Sequence, residues 1–445
     1  MSARKTDALK SQLIAIAMMF IVSPSLFFVA FSRSERVSEK AKFDSVAQGI
    51  SSAATFFLGI AVMVNAYYTA KRAEAEIKNA IATERSNEIN QRNMEVMRSR
   101  LIADRFMTAV SQLGNEYTAT RAGAIYSLEQ VAHESVKEHW TVMEILSAFL
   151  REQCKQIDEW DQQTSELPPL PVDIQAALTV IGRRDINLDP TNKLLDLRNV
   201  KIPHADLRGA NCNNLDLRGA DLRGADLRGA DLRGAELDDS QLVGASLYET
   251  NLHKANLRSA NLSNANLNRA WICGANLQGA NLQSASLRSA NLQGANLYKA
   301  NLQSANLRLA NLQAAKLFLA NLQGAKLGKA NLQATGLIGA NLQSANLNGA
   351  NLQQVNLNAA KLQYAEAYFA NFSNATLKEA DLSAANLMGS NFKKADFETA
   401  NLFQTNFMGA NLLDVNLTAA IWEGAILTGV KNFKSQSTQV MFGEL

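Results

Sequence analysis

The sequence predicts an all-β solenoid, preceded by an α-helical region and a transmembrane helix hairpin. Three observations carry that prediction. An apolar or small side chain stands at every fifth position from Leu197 to Leu427 without a slip in register. Two long uncharged runs, 11–32 and 46–70, lie close to the N-terminus. Between them and the repeats, residues 71–151 have helical apolar spacing and no proline. The period excludes the simpler readings. Leucines five apart wander around an α-helix, which advances ~100° per residue, and fall on alternate faces of a flat strand. A five-residue unit needs a corner at each repeat and a shared axis, so stacking makes the core.

The hairpin comes first, over 1–70, with spans at about 13–31 and 46–68. Each run is long enough to cross ~30 Å of hydrocarbon as a helix. Pro24 kinks the first span, as membrane helices tolerate, and Tyr67 and Tyr68 before Lys71 and Arg72 suit an interface anchor. A cleaved signal peptide is the competing reading of the first run, but no A-x-A site follows and a second span comes at once. Arg4, Lys5, Lys10, Lys71, Arg72, Lys78 and Arg85 flank the hairpin, against Arg33, Arg36, Lys40 and Lys42 in its loop. That balance predicts an integral membrane protein with both termini, and hence the repeats, in the cytoplasm.

A polar helical stalk follows over 71–100, with Ile77, Ile81 and Ile89 as a broken apolar stripe that leaves self-association into a homo-oligomer open. Residues 101–153 read as a small α-helical domain. Phe106, Val110 and Leu113 share a face that Gly114 ends; Ala124, Ile125, Leu128 and Val131 pattern a second helix, and Val142, Ile145, Leu146 and Phe149 a third. Helix, Gly-Asn turn and amphipathic helix together resemble a HEAT- or armadillo-type unit. Residues 154–172 form a proline-punctuated linker, and 173–196 a cap helix with its lead-in. There Asp173 is expected to N-cap a helix whose Ile174, Ala177, Leu178 and Ile181 cover the open first coil. The repeats span 197–429, and Phe433, Val440, Met441 and Phe442 in the 430–445 tail are placed to cover the last coil.

The repeat unit A-(D/N)-L-x-x, as in Ala225-Asp226-Leu227-Arg228-Gly229, resembles the pentapeptide-repeat family. The resemblance implies a right-handed quadrilateral β-helix of four pentads per coil. Its central Leu or Phe points inward and the small residue two places earlier fills the corner. On that basis Leu217, Leu222, Leu227 and Leu232 form one interior layer, and the rod has about twelve coils over roughly 55 Å. Cys212 and Ala367 depart from the central pattern, while Phe372, Phe392, Phe397, Phe407 and Trp422 enlarge the core toward the C-terminus. Asn and Asp are expected to ladder along the stack. The helical stretch RAGAIYSLEQVA…HWTVMEILSAFLRE, with DIQAALTVIGRRD, also resembles a segment of cyanobacterial pentapeptide-repeat proteins.

Composition narrows the functional classes. A net charge of +3 over 445 residues is too mild to argue for nucleic acid. Cys154, Cys212 and Cys273 are widely separated and odd in number, and Cys212 and Cys273 fall about three coils apart, beyond disulfide reach. His133 and His139 are six apart on a helix, a poor metal spacing, and are read as surface residues. No nucleophile–base pair, paired carboxylate site, metal cluster or phosphate-cradling loop stands out, so no catalytic, cofactor or metal residue is assigned.

Outward positions one coil apart differ by twenty, so the walls are readable. One wall lines up Arg258, Gln278, Tyr298, Phe318 and Ile338, and the opposite wall holds Arg288 and Arg308. Tyr298, Phe318 and Ile338 make a short apolar stripe suited to a protein partner, with scattered surface apolarity as the plain alternative. Gln283, Gln303, Gln323 and Gln343, and Gln293, Gln313, Gln333 and Gln353, occupy the remaining walls, where Gln ladders are expected. From Leu252 to Ala365 there is no acid, while Lys254, Arg258, Arg269, Arg288, Lys299, Arg308, Lys316, Lys326, Lys329 and Lys361 supply bases spread over several walls. Such a waist suits anionic lipid, RNA or an acidic protein, or is simply solvated. The best reading is a non-enzymatic, membrane-tethered scaffold for an unidentified protein partner. Topoisomerase regulation by DNA mimicry, which the family resemblance brings in, needs acidic walls. The basic waist and the anchor argue against it and against any DNA partner.

Overall fold

The computed structural model describes residues 38–155 and 169–432, with isolated positions between 11 and 33. The first expected span falls largely outside the described residues, as do most of the linker and the tail residues 433–445. Among the described residues the elements are helices α1 (Glu39–Gln112), α2 (Thr118–Glu134), α3 (Val136–Lys155) and α4 (Val172–Arg183), a 3-10 turn at Ile186–Leu188, and then the solenoid.

Residues 1–99 form one compact unit and 100–445 another. In the first, α1 runs through the second expected span and the stalk without a break. The change from apolar to charged composition at Lys71 does not end it, because a helix already nucleated propagates through good formers such as Ala, Glu, Lys and Arg. Of the whole of α1 only Ala109 is buried, in the second unit. No residue of the apolar stretch is buried, and Ile50, Phe57, Leu58, Val62 and Met63 are exposed.

In the second unit, α2, α3 and α4 share a core of Ile125, Leu128, Met143, Leu146, Ile174 and Ile181 that is continuous with the first coils. Three side chains of α3 reach the solenoid: Ser147 donates to the Asp196 carbonyl, Arg151 pairs with Asp196 at 3.0 Å, and Cys154 donates to the Lys201 carbonyl at 3.3 Å. Helix α4 covers the opening. Gln175 donates its side-chain amide to the Asp206 carbonyl at 2.8 Å and accepts from the Asp206 N–H at 2.9 Å. The Asn211 N–H donates to the Gly182 carbonyl at 2.8 Å. Gly182 is needed there, since a Cβ would lie 2.8 Å from the Ala210 Cβ. The first coil thus has its backbone partners supplied by a helix.

Two expectations fail in this region. Asp173 does not cap α4; the helix starts after Pro171 with no side-chain cap, and the buried Asp173 carboxylate accepts from Arg121 Nε at 2.6 Å. His139 is not at the surface but buried, its Nε2 3.4 Å from Asp189 Oδ1. Both residues are polar positions on helix faces that a neighbouring element covers, which helical spacing alone does not reveal.

The solenoid repeats one hydrogen-bond scheme. In the pentad around Leu297, the Leu297 N–H donates to the Lys316 carbonyl at 2.7 Å and Lys299 N–H to Phe318 at 3.0 Å, both one coil on. The Ala300 N–H then turns back to the Leu297 carbonyl at 3.0 Å, closing the corner. Parallel bridges join the residue before each central position to the one twenty later, so four pentads complete a coil. Every turn places its second outward residue in the left-handed region, which suits the Gly and Asn found at many of these positions. As far as Leu412 the central leucines and the alanines two before them are buried nearly completely, each Leu contributing roughly 1.5–3 kcal/mol before chain entropy is subtracted, while Leu417, Trp422 and Leu427 of the last coil are half-buried.

The Asn ladder is present. Asn296 Nδ2 donates to Asn276 Oδ1 at 3.0 Å, and the Asn296 Oδ1 accepts the Tyr298 N–H at 3.3 Å. Gln does not ladder: among the described residues no Gln–Gln side-chain bond joins two coils. The longer Gln side chain starts from an outward position, whereas Asn sits on the bridge itself, within reach of its equivalent.

Candidate interaction surface on the repeat walls

The twenty-residue register brings Tyr298, Phe318 and Ile338 into one column, with Arg258 and Gln278 on the preceding coils. The column is less prominent than its sequence suggests. Tyr298 and Phe318 are half-buried and Ile338 is 39% exposed. Phe318 lies flat because Gly336 replaces the Asn found at most bridge positions; a Cβ at Gly336 would stand 2.5 Å from the ring. Leu319, 51% exposed beside Phe318, extends the apolar area and leans over Gly339 in the same way. Lys299 Nζ stands 5.2 Å from the Tyr298 ring centroid. The sequence reading missed Leu319 because it followed only the first outward residue of each pentad. Leu319 occupies the second, left-handed position, with φ 58°.

The opposite wall gathers more charge than expected. Arg288 and Arg308 are exposed one coil apart, and the same wall carries Arg269, Lys326 and Lys329. Arg269 is engaged by Glu249 at 3.1 Å and the Tyr248 hydroxyl at 2.9 Å. Among the described residues the other four form no ion pair. Counting by twenties would have assembled this group too, had second outward and bridge positions been included. Farther along the same wall stand Tyr368, Phe369, Met388 and Met408.

Near the cap the charge pattern is different. Each Asp at a bridge position holds the Arg two residues later: Arg223 Nη2 donates to Asp221 Oδ2 at 2.6 Å and Arg218 to Asp216 at 2.6 Å. Asp196 takes such a bond from Arg198, with Arg151 beside it, and its carboxyl falls to about 2. Asp206 and Asp226 are lowered likewise by bonds from Arg208 and Arg228. A carboxyl lowered in the folded state binds fewer protons there than in the unfolded chain. Its stabilisation is complete above the ordinary value of 3.8 and is lost as pH falls toward about 2. The cap and first coils should therefore lose thermal stability between about pH 4 and 2, and Asp196→Asn should flatten that dependence in melts followed by circular dichroism.

Burial pushes the Cys154 thiol up to about 11 and Cys212 up to about 12, and raises half-buried Cys273. A thiol reagent at neutral pH should modify Cys273 slowly and the other two only on unfolding, as mass spectrometry of the labelled sites would show. Among the described residues no group of His, Cys, Asp and Glu is disposed to hold a metal ion. A polar cleft of about 640 Å³ between α1 and α2 is lined by Asp104, Arg105, Gln112, Gln130 and Glu134, with Arg105 bonded to Glu134 at 3.1 Å.

Known proteins with related repeats were found. Eight copies of the family described as Pentapeptide repeats match between residues 204 and 404. The crystal structure of HetL, from the cyanobacterium Nostoc and involved in heterocyst differentiation regulation, is 34% identical over 54% of this chain and 90% of its own, with a TM-score of 0.23. Rfr23 from the cyanobacterium Cyanothece is 29% identical over 26% of this chain and 88% of its own, TM-score 0.20. QnrB1, a plasmid-mediated fluoroquinolone resistance protein, is 18% identical over 45% and 90%, TM-score 0.28. No curated protein matches the chain. With its bridges at intervals of twenty and its buried central leucines, the chain belongs to the pentapeptide repeat family, whose fold is a right-handed β-helix.

Proposed function

We propose that this protein is a non-enzymatic, membrane-tethered scaffold whose rigid repeat walls hold a protein partner. One observation carries the reading: residues 46–70 of α1 are uncharged, long enough to cross a bilayer, and none of them is buried. An apolar helix of that kind is stable in hydrocarbon and costly in water. The hairpin reading supplies a second span over 13–31 and leaves the repeats in the cytoplasm.

For the partner, the wall bearing Tyr298, Phe318, Leu319 and Ile338 offers an apolar centre with Arg258 and Lys299 at its rim, a composition that protein interfaces favour. The reading needs no cofactor. DNA mimicry has no acidic wall to work with between Leu252 and Ala365. Proximity labelling from the intact protein tests the proposal, set beside Tyr298→Ser/Phe318→Ser and a chain lacking 13–68. The stripe variant should lose a discrete subset of neighbours, and the deleted chain its membrane neighbours. Identical neighbours for all three would end both assignments.

A further inference from the structure

The wall opposite the stripe has a character that the tethered-scaffold reading does not use. On three successive coils it displays Arg288, Arg308, and the pair Lys326 and Lys329, all exposed and none ion-paired among the described residues. Along the same wall, Leu309, Phe369 and Met408 are 46%, 71% and 40% exposed. On this wall, from Arg288 to Met408, Glu366 is the one carboxylate among the described residues, and it accepts a bond from Asn346 at 3.2 Å. Bases and large apolar side chains thus share one wall.

Phe369 and Leu309 are informative for a second reason. Both occupy the left-handed turn position, at φ 55° and 61°, where bulky side chains are disfavoured. Leu319 and Tyr364 share this conformation on other walls, while most of the remaining positions hold glycine or a small, amide or charged residue. Phe369 leans over Gly389, yet most of its ring meets solvent. Neither the backbone conformation nor the exposure is repaid by folding, which points to a use outside the fold.

We propose that this wall lies on an anionic lipid surface, with Arg288, Arg308, Lys326 and Lys329 over the headgroups and Leu309, Phe369 and Met408 entering the interface. The occupant follows from the chemistry. Four unpaired bases beside exposed apolar side chains match the basic and apolar composition that anionic lipid interfaces take up. Unpaired bases near an anionic surface each contribute about a fivefold gain in binding, and exposed aromatic and aliphatic groups add apolar transfer. The inference rests on the membrane reading in one respect, because an anchored chain meets lipid at high effective concentration.

The test uses the full chain reconstituted in vesicles, in a Cys273→Ser background. A fluorophore is placed at Ser289→Cys on this wall or Ser259→Cys on the opposite one, and quenching by spin-labelled lipid is read. Phosphatidylglycerol vesicles should quench the label at 289 and not at 259; pure phosphatidylcholine should quench neither. Arg288→Glu/Arg308→Glu should reduce the signal at 289 about fivefold or more, with the melting temperature as the check on folding. Equal quenching on both walls, or quenching indifferent to lipid charge, overturns the proposal. Alkaline carbonate extraction of the same samples separates the two readings. Protein that resists extraction but shows no quenching at 289 keeps its anchor and loses the lipid-facing wall. Protein that washes off carbonate-treated vesicles yet is quenched at 289 beforehand keeps the wall and loses the anchor.

Discussion

Replacing Arg184 with methionine should loosen the helical cover of the first coil and destabilise the second unit by about 3–5 kcal/mol, the usual consequence of removing one partner from a buried ion pair. The Arg184 side chain is wholly buried. It bonds Asp189 Oδ2 at 2.9 Å and donates to three carbonyls, Ile181 at 3.1 Å, Asn211 at 2.7 Å and Asn213 at 2.5 Å. One guanidinium therefore ties the end of α4, the lead-in and the first coil together. Without it, Asp189 is left with only His139 nearby, and the carbonyls of the Asn211–Asn213 turn lose their donor. Denaturant unfolding measures the loss. Hydrogen exchange should place it in α4 and the first coils, with faster aggregation as strand edges become exposed. An unchanged midpoint would mean that the cap is held by its apolar face alone.

Phe392→Ala should cost about 3–5 kcal/mol, and locally. Phe392 is the centre of the aromatic interior: its ring stacks on Phe372 at 4.6 Å and meets Phe397 at 5.3 Å and Phe407 at 5.6 Å. These rings fill space that Leu fills in the earlier coils, next to the small Ala367. Coils of a solenoid contact only their neighbours, so the damage should stay in the C-terminal coils while the Leu-filled coils keep their protection. Exchange rates resolved along the chain distinguish this from a global loss of stability.

How much of this was legible in the sequence follows from which interactions have a fixed period. The central leucines, the Asn ladder and the four-wall register all repeat every five or twenty residues, so counting recovers them. The aromatic interior was visible for the same reason: Phe372, Phe392, Phe397 and Phe407 keep the inward register. The cap does not repeat. Nothing in the spacing of α3 announces that His139 meets Asp189, or that Asp173 is taken by Arg121 rather than by the start of its own helix. Those pairings join residues tens of positions apart and depend on how three helices pack. The candidate walls fall between the two cases. Arg288, Arg308 and the stripe were read directly, whereas Leu319, Lys326, Lys329 and Phe369 needed the turn geometry, which turns the second outward residue to solvent in a left-handed conformation.

The account depends most on the membrane anchor, and alkaline carbonate extraction of membranes from cells expressing the full chain tests it directly. With residues 46–70 of α1 spanning a bilayer, the protein stays in the membrane pellet. A variant carrying Phe57→Lys and Val62→Lys, which puts two charges into the apolar stretch, moves to the supernatant. Release of the unaltered protein by carbonate would contradict the account, leaving a soluble rod and an exposed apolar helix that needs another partner.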